Sequence, residues 1–188
     1  YQPEPSIAYI DLQENTLLER VTLRVDTVNT GHLAITDDNS LVVSSAAVTP
    51  GQAGAVSIRN PLGEMLTIKK PEAITSRLKG EALSISIDEK HNIAAITHPE
   101  VSLVTFWSVD KKELIKAISV PGARGICLSL DKKHFIVSYA VNTSAIRIDT
   151  GTLTADKESI MQPVYASGDH IINWSGTLHD IMPTKIYS

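Results

Sequence analysis

The feature that most constrains this chain is a strand-turn-strand phrase that occurs four times. SIAYIDLQENTLL, GAVSIRNPLGEML, SLVTFWSVDKKEL and SAIRIDTGTL start at Ser6, Gly54, Ser102 and Ser144, in steps of 48, 48 and 42 residues. Each copy has a small residue, an apolar run, a polar turn and then Leu or an equivalent. A unit of this length, built from short strands, cannot bury its apolar faces alone. It stacks its copies radially, as the blades of a β-propeller do.

Residues 82–120 show one whole unit. ALSISI and NIAAIT are joined by a polar turn at 88–91, SLVTFWSV follows, and a turn at 110–112 leads to ELIKAISV. Val, Ile, Leu, Phe and Trp fill the runs and turn residues bound them, so the unit reads as four antiparallel strands. The same grammar predicts blades over 32–70 and 125–159. PEAITSRLKG at 71–80 breaks it, with Pro and Glu leading and Gly closing, and predicts a short helical connector. The ends are incomplete. Residues 6–23 form an outer pair with no inner strands before it, and 170–187 offer inner strands with no outer pair after them. They read as one split or incomplete blade. Three arrangements meet this pattern: a cut ring, a mixed blade closing four blades, or a homodimer in which two chains complete each other. The fold class expected is therefore all-β, a WD40- or quinoprotein-like propeller of about four blades or a partial ring, with 1–188 as one domain. A β-sandwich is the structural rival.

Charge and cysteine content exclude several function classes. The net charge is −4, and the 17 Lys and Arg are scattered. Nucleic-acid binding, which needs a basic stripe, is not expected. No apolar run is long enough for a membrane-spanning helix. A single cysteine, Cys127, excludes an internal disulfide and a multi-cysteine metal site. It lies in an apolar run and reads as a small core residue. No G-x-S-x-G, H-E-x-x-H, P-loop or dinucleotide glycine motif occurs.

Propellers meet ligands where inner strands begin, at the mouth of the central channel. Here those positions hold His32, Glu81, Arg124, Asp169 and His170. Two imidazoles with a carboxylate from Glu81 or Asp169 offer N and O ligands to a divalent or iron ion. Arg124 offers a bidentate fork to a carboxylate or phosphate. No cofactor is otherwise implied. Three other residue sets read as structural. Asp37, Asp88 and Asp131 recur at inner-pair turns, where Asp bonds its own backbone. Phe106 and Trp107 are adjacent on a strand, so their rings face opposite blades. His98 precedes Pro99 in a loop and reads as a cap, with His91 and His134 exposed in turns.

Four segments also resemble a bacterial family of uncharacterised β-propeller proteins: PSIAYIDLQENTLLERVTL, PEAITSRLKGEALSISID, AAITHPEVSLVTFWSVDKKELI and INWSGTLHDI. They are similar to the C-terminal part of that family. The family's Trp-Asp-Asn-His ending becomes Trp-Ser-Gly-Thr-Leu-His here, so only Trp174 and His179 carry over. The resemblance implies export to the periplasm by a twin-arginine signal and a link to iron acquisition, since the family's genes lie beside imelysin-type proteins. It carries no established activity. The expectation is a non-enzymatic binding or scaffold propeller that takes a protein partner or small ligand. The alternative is a hydrolase or lyase using His32, His170 and an adjacent carboxylate.

Overall fold

A computed structural model describes residues 4–23, 28–139, 144–164 and 170–175. It opens with a hairpin of β1 (Ser6–Asp11) and β2 (Thr16–Thr22). Three four-stranded antiparallel sheets follow, each a meander in chain order. Sheet one holds β3 (His32–Ile35), β4 (Leu41–Ser45), β5 (Ala55–Arg59) and β6 (Met65–Ile68). Sheet two holds β7 (Ser84–Asp88), β8 (Ile93–His98), β9 (Leu103–Ser108) and β10 (Glu113–Ser119). Sheet three holds β11 (Ala123–Leu128), β12 (His134–Tyr139), β13 (Ser144–Asp149) and β14 (Ala155–Met161). The connector expected at 71–80 contains α1 (Glu72–Thr75).

The sheets pack face to face. Strands β4 and β8 are buried at every position, which is why LVVSS and IAAITH lack the apolar-polar alternation of a half-exposed strand. Consecutive side chains on β9 point to opposite faces. Phe106 enters a core shared with sheet three, its ring 5.8 Å from Phe135. Trp107 enters the core shared with sheet one, among Val42, Val56 and Ile58. Both rings are fully buried, so sheet two is the wedge on which its two neighbours close. A smaller core of Ile7, Leu23, Leu41 and Val43 seats the first hairpin on sheet one. Toward its tip the hairpin leaves Ile10, Leu12, Leu17 and Leu18 exposed.

The repeated phrase is also a repeated turn. Counting from Ser6, Ala55, Leu103 and Ser144, the sixth residues are Asp11, Asn60, Ser108 and Asp149. All four accept a backbone N–H from the turn that follows: Asp11 from Gln13 at 2.8 Å, Asn60 from Glu64 at 2.8 Å, Ser108 from Lys111 at 3.2 Å and Asp149 from Thr152 at 2.7 Å. Each turn then passes through the left-handed region, at Asn15, Gly63, Lys112 and Leu153. These donors hold the Asp11 and Asp149 carboxyls below the usual range. At the inner turns, Asp88 and Asp131 accept N–H groups from Lys90 and Lys133, both at 3.1 Å, as expected. The first inner turn differs from expectation. Asp38, not Asp37, accepts the Ser40 N–H at 3.0 Å, and the Asp37 N–H donates to Glu89 at 3.0 Å across to sheet two.

The first strands β3, β7 and β11 lie side by side. With residues 171–173 they line a space of about 310 Å³. The segment 170–175 thus stands where a further inner strand would, without regular strand hydrogen bonding. Residues 176–188, expected to complete the split blade, lie outside the described residues.

Candidate functional site

The backbone approaches closely where the inner strand β3 begins. Gly31 leads into β3, and a Cβ there would stand 2.6 Å from the Ser44 carbonyl oxygen. Glycine therefore lets His32 begin the strand at the rim. The His32 Nε2 lies 3.6 Å from Oε1 of Glu81, in the segment leading to β7. On the other side the His170 ring stands 4.7 Å from the His32 ring, tilted by 52°. His32 is half-buried, and Glu81 and His170 are exposed. Three segments far apart in sequence so bring two imidazoles and a carboxylate together. Such a group can hydrogen-bond an incoming ligand.

The other expected site residues are placed differently. Arg124 is half-buried on β11, beside β7, and its carbonyl accepts the Thr97 hydroxyl. Asp169 lies outside the described residues. Among the described residues no group of three His, Cys, Asp or Glu side chains has the geometry to hold a metal ion, His32, Glu81 and His170 included. No helix among them is long and apolar enough to cross a membrane.

A family model described as a protein of unknown function, DUF1513, matches residues 2–171. The chain belongs to the DUF1513 family. No curated protein matches its sequence. Its fold is similar to Kuenenia stuttgartiensis hydrazine synthase, with a TM-score of 0.64 at 14% identity, over 79% of this chain and 52% of that one. Saccharomyces cerevisiae Sqt1 aligns with a TM-score of 0.63 at 11% identity, over 81% and 41%. A chain of the nidogen/laminin complex aligns with a TM-score of 0.54 at 13% identity, over 81% and 57%. The DUF1513 chain spans about half the length of these structures. At such identities the likeness shows the fold, which is an all-β propeller architecture.

Three further residues of this DUF1513 chain depart from the sequence reading. Cys127 is not a core residue. It is half-buried and lines the channel with Ser86 and Glu89, and burial pushes its thiol pKa up. His98 is not a loop cap. It is the last residue of β8 and is only 2% exposed. Its Nε2 is 2.9 Å from the Thr105 hydroxyl, and that oxygen accepts the Trp107 indole N–H at 2.7 Å. Burial alone drops the His98 pKa to about 3, so its ring is neutral. A signal was present in sequence: Thr105 and Trp107 are two apart on a strand and share a face. The histidine that joins them could come only from the β8–β9 pairing. Of the other described histidines, His91 is exposed as expected and pairs with the buried Asp88, whereas His134, expected exposed, is half-buried where it opens β12.

Proposed function

We propose that this protein is a non-enzymatic binding propeller that takes a protein partner or small ligand at the channel mouth. The observation that supports this is the convergence of His32, Glu81 and His170 from three separate segments on one exposed rim. The family resemblance supports a finer reading, a periplasmic role tied to iron acquisition. The experiment compares wild type with a His32→Ala/His170→Ala double variant as baits in extracts of the native periplasm. Loss of a partner that wild type retains supports the mouth, and identical capture by the double variant sinks it. Fractionation of native cells tests the compartment, and recovery in the cytosol alone overturns it.

The His32–Glu81 geometry favours one second reading. A carboxylate 3.6 Å from an imidazole can orient it as a general base in a hydrolase or lyase. Turnover that is lost in His32→Ala and Glu81→Gln would replace the binding reading with this one.

A further inference from the structure

The buried His98 has no role in the mouth, yet it ends β8 next to Thr97, which pairs with Ser84 at the start of β7. Thr97, its neighbour, accepts the Leu83 N–H at 3.0 Å through its carbonyl. The Thr97 hydroxyl lies against the carbonyls of Ser84 and Arg124. Ser84 in turn accepts the Ile126 N–H at 3.3 Å. This end of β8 therefore ties together the starts of β7 and β11, the two inner strands next to Glu81 and Arg124.

The chemistry of the buried chain requires a neutral His98. The Thr105 oxygen accepts from Trp107, and its single O–H then needs an acceptor. His98 Nε2 supplies one only while it carries no proton. Protonation removes that acceptor and places a cation among Trp107, Ile96 and Leu103, all 6% exposed or less. Charged groups on the surrounding elements offer no relief. Glu100 packs its carboxylate over Gly80, Glu81 and His32 face each other at the rim, and Arg124 stands on β11. Among the described residues no charged neighbour contributes to the shift at His98.

We propose that the Trp107–Thr105–His98 chain is an acid-labile latch under the channel mouth: one proton taken up at His98 loosens the mouth end of β8 and releases the starts of β7 and β11. Its regulatory meaning rests on the mouth being the binding site. The latch itself does not.

The sign follows from linkage. The folded state holds His98 neutral, whereas the unfolded chain titrates near the ordinary value of about 6.5. The stabilisation is complete above that value. It drains away as pH falls below it, until the folded ring titrates near 3. Between pH 7 and 5 the folded-to-unfolded ratio should drop by about 25-fold through this one residue.

The test is urea unfolding of wild type and His98→Gln at pH 7, 6 and 5. Glutamine can accept the Thr105 hydroxyl proton and does not titrate. Wild type should lose about 25-fold more than the variant over this range, and parallel losses overturn the proposal. If His98→Gln fails to fold, NMR of wild type decides. The His98 ring should show no titration above pH 5, and the Trp107 indole N–H should lose exchange protection on acidification. A His98 ring titrating near 6.5 in the folded protein refutes the latch. Neither measurement uses a partner, so failure of the binding reading would leave both outcomes intact.

Discussion

Arg59 fastens the first hairpin to the rest of the propeller, and Arg59→Ala should release it. The residue ends β5, and its guanidinium Nη2 donates to both oxygens of Glu19 on β2, at 2.7 and 2.8 Å. The same guanidinium lies 5.1 Å from the ring centroid of Tyr9 on β1, and its Nε–H donates to the Gly63 carbonyl at 3.3 Å. Arg59 keeps 14% of its side chain exposed and Glu19 48%, so solvent screens much of the ion pair and about 0.5–1 kcal/mol remains. The cation–π contact adds about 1 kcal/mol, and the bond to Gly63 about 1 kcal/mol. Arg59→Ala should therefore cost about 2–3 kcal/mol. Arg59→Lys keeps a point charge and loses the fork, so it should still cost about 1.5 kcal/mol. Urea unfolding followed by Trp fluorescence gives both numbers, and limited proteolysis reports release of the hairpin. A cycle with Glu19→Gln isolates the ion pair, and 1 M NaCl should remove that share alone. An Arg59→Ala cost under about 0.5 kcal/mol, full substitution by lysine, or loss of the whole effect in salt would show that Arg59 does not fasten the hairpin in this way.

Three further outcomes follow from the same structure. Gly54→Ala should cost about 3 kcal/mol or block folding, because a Cβ would stand 2.0 Å from the Ser45 carbonyl oxygen. Gly51→Ala, with φ +80° and open space, should cost about 1 kcal/mol, and equal Tm shifts for the pair would contradict the steric argument. Thr105→Val strands both the Trp107 N–H and His98 and should cost about 3 kcal/mol, against about 1–2 kcal/mol for Trp107→Phe; the reverse order in urea would break the proposed chain. The Asp149 carboxyl is held low by N–H donors from Thr152 and Gly151. Its contribution is present above the ordinary carboxylate range and lost as pH falls through the lower folded value, so Asp149→Asn should remove that acid step, as thermal melts between pH 5 and 2 would show.

Local rules made much of the fold legible. The four turn phrases needed only alternation, a small polar side chain to accept a turn N–H, and a residue able to turn left-handed. These act within a few residues, so sequence spacing carries them. They also placed Phe106 and Trp107 on opposite faces, because strand alternation is a property of the backbone. Where such rules compete locally, sequence was less decisive. Asp37 and Asp38 are adjacent, and only packing against Glu89 assigned the turn to Asp38.

What joins distant segments belonged to the tertiary structure. The sequence grouped His32, His170 and a carboxylate from Glu81 or Asp169 at the starts of inner strands, but only the tertiary structure chose Glu81 as the neighbour of His32 and stood Arg124 on the next strand. Cys127 and His98 show the same limit in reverse. An apolar run surrounds Cys127, yet strand direction turns it to the channel, and a proline follows His98, yet the β8–β9 pairing buries it. Burial and partnership are set by which sheets pack together, and no window of neighbouring residues contains that information.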